Sequence, residues 1–195
     1  MTICACAVIG SIIAYYCIDC GVFETEPTGV IEIRKKREQG ESVWLEHQVA
    51  WLRINDTHIN YPVMQADNNS HYLSHDYYDQ PSVSGAIFLD YRNSADFSDY
   101  LSIIYGHRMN GNLMFSDVAK FANDEYFTQH LDGELELRNV KYRLRVIAYR
   151  DISVDALLYR KLFSNEWDFP VITLSTCSRE IKGNRNVLVL RILRE

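Results

Sequence analysis

The run Val171-Ile172-Thr173-Leu174 is apolar and rich in β-branched side chains, and it ends in Ser175-Thr176-Cys177. A run this short, bounded by polar residues, predicts a buried strand rather than a helix. The following Ser178–Asn184 is polar and holds Gly183-Asn184, a turn signal. Arg185 then opens a second apolar run, Asn186–Leu193, which predicts another strand. Paired as neighbours, the two strands bring Cys177 and Arg185 to one end of a sheet, with a thiol beside a fixed cation.

The same punctuation recurs along the chain. Val49–Ile54 and Ile59–Gln65 flank the polar turn Asn55-Asp56-Thr57-His58, which predicts a hairpin. Pro62 places the second of these strands at an edge or a bulge. Ala66–Pro81 reads as a loop with one helical turn around Ser70–Leu73. Gly85–Asp90 and Leu101–Tyr105 are expected strands, and so are Glu134–Leu137 and Lys141–Tyr149 around Arg138-Asn139. Met114–Ala122 has helical spacing, Asp124–His130 continues as a second short helix, and Asp151–Phe169 holds one more. About eight strands with few helices predict a mainly β fold, a closed or partly closed β-barrel.

At 195 residues the chain makes one domain plus an appendage. Residues 1–23 are read as the appendage, 24–48 as a linker followed by two short N-terminal helices, and 49–195 as the barrel. Ile3–Ile18 is uncharged and largely apolar. It falls short of the roughly 20 residues that span a bilayer, a gap that tilt, thinning and interfacial tyrosines can close. A membrane anchor is the preferred reading and a buried helix the alternative. The chain carries 20 basic and 26 acidic residues, net −6, which disfavours nucleic-acid binding. Arg34-Lys35-Lys36-Arg37 reads as a solvated helix face.

Four of the five cysteines lie at positions 4, 6, 17 and 20, which leaves Cys177 as the one thiol of the body. With no partner in that body it is either an inert buried side chain or a reactive one. A cysteine nucleophile acts as the thiolate and needs a base or a cation nearby. Five of the six histidines (His47, His58, His71, His75 and His130) fall in expected helices or polar loops and read as surface side chains. His107 instead follows the strand Ser102–Gly106, much as Cys177 closes its own strand. Arg185 stays charged at any working pH and is suited to hydrogen-bonding an oxyanion, although a surface charge at a strand start is the plainer reading.

These segments carry a family resemblance. Thr173-Leu174-Ser175-Thr176-Cys177 resembles the TLxTC signature of sortases, and Arg185 matches the arginine that opens their last strand. Ile104-Tyr105-Gly106-His107-Arg108-Met109 resembles their histidine segment. Gly85–Asn93, Ile59–Val63, and Asp67-Asn68-Asn69 with Tyr72-Leu73 are similar to segments of class B. The resemblance runs from about Val43 to Glu195, with the motifs in family order.

The resemblance implies an eight-stranded sortase barrel with short peripheral and N-terminal helices. It implies a transpeptidase held by a single pass in the membrane of a Gram-positive cell, its catalytic domain extracellular. Cys177 would attack the Thr carbonyl of a C-terminal sorting signal of LPxTG or NPxTN type and form a thioacyl enzyme. An amine of the wall precursor lipid II, or a pilin lysine, would take the acyl group. His107 would move the protons, and Arg185 would hold the oxyanion. Asn69, Leu73, Ser175 and Thr176 would line the substrate groove. No metal or cofactor is implied. The segment after Arg150 is shorter than the resemblance leads one to expect, which implies a more open groove suited to a pilin. A hydrolytic cysteine endopeptidase and an inactive surface scaffold are the alternatives.

Overall fold

The computed structural model describes residues 29–153, 167–180 and 183–193. The expected N-terminal anchor therefore lies outside the described residues, as does most of Asp151–Phe169, where a short helix is expected. Among the described residues, no helix is long and apolar enough to cross a membrane.

Eight strands close into a barrel: β1 (Gln48–Ile54), β2 (Asn60–Met64), β3 (Phe88–Leu89), β4 (Leu101–Tyr105), β5 (Asp132–Glu136), β6 (Lys141–Ser153), β7 (Val171–Cys177) and β8 (Asn184–Leu193). Their order around the barrel is β1-β2-β3-β4-β7-β8-β6-β5, with β5 returning to β1. Most neighbours are antiparallel, but β2 runs parallel to β3 at their single contact and β4 runs parallel to β7. Closure leaves few backbone groups unpaired and buries one continuous interior.

Alternation along the strands sorts the side chains. Ala50, Leu52 and Ile54 of β1 join Leu135, Leu144, Val146, Ile172, Leu174, Leu188 and Leu190 in the main core. The intervening Val171, Val187 and Val189 gather with Ala148 in a second, smaller cluster on the outer face. Leu101, Ile147, Ile152, Trp167 and Phe169 pack against that cluster. Strands β7 and β8 are thus buried on both faces, which is why their sequences read as continuous apolar runs. A register shift between Val146 and Ala148 lets β6 serve both clusters, because one extra residue turns the strand over.

Several expectations shift. Only one helix forms in the 30–48 segment, α1 (Val30–Glu38). It ends at Gly40, whose φ of 86° suits a residue without a Cβ. The second expected helix is absent. Trp44 lies instead under the guanidinium groups of Arg37 and Arg138, and this fixes the segment by side-chain stacking. The helical spacing after Met114 appears as a 3-10 helix over Ser116–Ala122, followed by α2 (Asp124–Gln129). The strand expected over 85–90 shrinks to Phe88–Leu89. Pro62 pairs with Trp51 inside the β1–β2 ladder, and the bulge lies in β1 between Gln48 and Ala50. Pro62 is tolerated because β2 meets β3 only at Met64, so it breaks no ladder on that side. The turn at Ser70–Leu73 is present as a 3-10 helix over His71–Leu73.

Candidate active site

Strand pairing brings the three singled-out residues to one end of the barrel wall. In the antiparallel β7–β8 ladder Cys177 and Arg185 are direct partners. In the parallel β4–β7 ladder Tyr105 pairs with Ser175, and Gly106 extends it by donating its N–H to the Ser175 carbonyl at 3.2 Å. His107 and Cys177 each come two residues after that last pair, so the register sets them side by side. Arg185 donates Nη1 to Cys177 Sγ. Its side chain is buried, so the bond is formed where little water competes. By alternation, Cys177 and Arg185 share the outer face with Val187 and Val189, the face of the smaller apolar cluster.

His107 is held from outside the sheet. Its Nε2 donates to the Leu73 carbonyl at 2.9 Å, which leaves Nδ1 to exchange a proton. Two glycines flank this bond. Gly85 has φ of 59°, and a Cβ there would lie 2.9 Å from the Leu73 carbonyl oxygen and nearer still to that of Tyr72. A Cβ on Gly106 would meet the Phe115 ring at 2.8 Å. Bare backbone at Gly85 lets the chain pack against the Leu73 turn, and at Gly106 it lets the His107 strand end settle on Ile87 and Phe115.

The four expected groove residues take different places. Leu73 is half-buried and contributes its carbonyl to His107. Ser175 and Thr176 are buried at 2% exposure, and neither hydroxyl has a hydrogen-bond partner among the described residues. A buried hydroxyl without a partner is costly, and a substrate backbone in the groove would relieve that cost. Asn69 is buried with both ends of its amide engaged. It donates to Asp90 Oδ2 and accepts from the Tyr91 N–H, each at 2.9 Å. Asn69 thus supports the loop beneath the groove. Burial opposes the ionisation of Asp90, but hydrogen bonds from Arg92 and Asn69 outweigh it and hold the carboxyl below the usual range.

A charged clamp beside these residues had no sequence signal. Arg108, next to His107, makes a two-pronged pair with Glu180, three residues past Cys177: Nη1 lies 2.7 Å from Oε2 and Nη2 lies 2.8 Å from Oε1. Arg108 Nη1 also reaches Asn186 Oδ1 at 3.1 Å. Arg179 donates to Asn110 Oδ1 at 2.7 Å and to the Arg108 carbonyl at 3.2 Å. The loop after the histidine and the loop after the cysteine are tied together through four hydrogen bonds. The Arg108 guanidinium pulls the Glu180 pKa down to about 2, so this carboxylate stays ionised at any working pH.

A sortase domain family model matches residues 52–191. The chain is 30% identical over 166 residues to sortase B of Listeria monocytogenes, covering 73% of this chain and 68% of that protein. Sortase B of Staphylococcus aureus is 31% identical over 122 residues, 62% of this chain and 50% of that protein. Among solved structures, a Streptococcus pyogenes class B sortase involved in pilus biogenesis aligns with a TM-score of 0.66 at 28% identity, over 74% of this chain and 91% of that one. Barrel topology, family match and relatives agree: the chain belongs to the sortase family, in class B, and is a cysteine transpeptidase of the cell-wall sorting type.

Proposed function

We propose that Cys177, His107 and Arg185 carry the transpeptidation, and that the substrate is a C-terminal sorting signal of LPxTG or NPxTN type cut after Thr. The observation that carries this reading is the strand register, which sets a thiol, an imidazole and a guanidinium on three adjacent strand ends. The Cys177 thiolate attacks the Thr carbonyl, and the oxyanion that develops accepts hydrogen bonds from Arg185. When the C–N bond breaks, His107 protonates the leaving amine. An incoming amine then attacks the thioester and passes its proton to His107. The new C–N bond forms as the C–S bond breaks, and the thiolate returns. Ser175, on the face of Cys177, meets the substrate backbone with its hydroxyl, Thr176 completes the groove at the strand end, Leu73 lines it and Asn69 supports it.

The acceptor is an amine of the wall precursor lipid II or a lysine of a pilin. The pilin option draws support from similarity to the Streptococcus pyogenes enzyme, which is involved in pilus biogenesis. The apolar segment Ile3–Ile18 anchors the enzyme in the cell membrane with the catalytic domain outside.

The test incubates the full chain with a panel of sorting peptides and triglycine and reads the products by intact mass. A thioacyl adduct on Cys177 together with a triglycine-capped peptide is expected. Hydrolysis alone, unchanged by any amine, would count against transfer. A folded protein whose Cys177 alkylates yet forms no adduct would count against the sorting-signal reading.

A further inference from the structure

Past the ends of β4 and β7 lies a pocket of about 320 Å³. Its lining includes Arg108, Met109, Asn110, Ser116, Lys120 and Arg179. Three of these side chains are cationic, on a chain whose net charge is −6. The charges there do not cancel. Arg108 is paired with Glu180, and Lys120 Nζ lies 2.8 Å from Asp117 Oδ1. Asp117 is itself buried and shared with the backbone N–H and ring of His58. Arg179 is different, because its two side-chain bonds among the described residues go to neutral oxygens, those of Asn110 and of the Arg108 carbonyl. Among the described residues it forms no ion pair, and those two bonds hold its guanidinium in place. The pocket therefore has one uncompensated positive charge on a fixed fork, with the 38%-exposed Lys120 side chain on the same wall.

We infer that this pocket binds a carboxylate carried by the acyl acceptor, so that the preferred acceptor is an amine with a free carboxylate one or two residues away. The inference rests on the transpeptidase reading above. A planar guanidinium fork matches a carboxylate, and a single net positive charge matches a monoanion better than a phosphate dianion. Position sets the spacing. Arg108 follows His107 directly and Arg179 lies two residues past Cys177, so the pocket adjoins the ends of both strands. A carboxylate held there leaves one or two residues of the same acceptor to carry its amine to the thioester. The incoming amine must also sit where His107 protonated the leaving one, since the same imidazole serves both steps. Binding the carboxylate orients the amine, which attacks the thioester carbonyl, gives its proton to His107 and displaces the Cys177 thiolate.

The experiment compares kcat/KM for glycylglycine and glycylglycinamide as acceptors, using the full chain and one sorting peptide, with the thioacyl adduct followed by intact mass. About a tenfold preference for the free carboxylate is expected, falling to near unity in Arg179→Gln and partly in Lys120→Gln. In the unsubstituted chain, N-acetylglycine should compete with the acceptor. That arm holds even if a variant does not fold. A normal adduct with no preference, or a preference that both folded variants keep, overturns the inference and leaves the transpeptidase reading standing. Competition by inorganic phosphate but not by N-acetylglycine overturns the carboxylate assignment. Absence of any thioacyl adduct overturns the transpeptidase reading, and the inference with it.

Discussion

At the scale of single residues, the site depends on what each group does that a neighbour cannot. Cys177→Ala removes the proposed nucleophile and should abolish the thioacyl adduct with little change in melting temperature, because the thiol is only half-buried at a strand end. Arg185→Lys keeps the charge but loses the planar fork, and kcat should fall about 10²- to 10³-fold, the usual loss for one oxyanion donor. Steady-state rates beside a thermal melt check both, and unfolding of either variant would weaken the catalytic assignment. The placement of the three residues at neighbouring strand ends was legible in the sequence, because each is flanked by apolar runs. Asn69 was only half legible. A loop Asn reads equally as a substrate contact or a scaffold, and only the partners Asp90 and Tyr91 decide which it is.

At the scale of elements, the Arg108–Glu180 pair joins two loops that strand register alone leaves independent. It acts through position, holding the His107 loop against the Cys177 loop. Arg108→Ala or Glu180→Gln should lower kcat about tenfold while leaving the KM of the sorting peptide within twofold, a loss typical of misplaced catalytic groups. The reversed pair, Arg108→Glu with Glu180→Arg, should recover part of the rate. An equal loss in the reversed pair would show that the ion pair is not what positions the loops. Strands β1, β7 and β8 were legible from their apolar runs, and the 3-10 turn at His71–Leu73 from its polar surroundings. The parallel β4–β7 seam was not, since it joins strands separated by β5 and β6 and no local pattern records which strand a neighbour will be. The missing second helix near Trp44 has a similar cause: stacking on Arg37 and Arg138 overrides local preference.

At the scale of the whole molecule, three carboxylates tie distant parts of the chain and share one response to acid. Glu180 binds Arg108 across the site, Asp90 binds Arg92 and Asn69, and Asp117 binds His58 and Lys120. Burial works against Asp90 and Asp117, but their hydrogen bonds win, and all three pKa values are lowered in the fold. A lowered folded pKa contributes stability above the ordinary value and loses it as pH falls through the folded one. The melting temperature should therefore be flat above about pH 4.5 and drop between pH 4.5 and 2, as these carboxylates take up protons. A thermal melt series across that window checks this. A flat response would mean that the three networks contribute no net stability.

The parallel seam also bears on how the enzyme comes into being. Antiparallel neighbours such as β1–β2 and β5–β6 close short loops and can form early, whereas the β4–β7 contact must wait for a long stretch of chain to be enclosed. The histidine and the cysteine meet only across that late contact. A partly folded chain thus holds the Cys177 thiol away from the His107 imidazole until this part of the barrel closes.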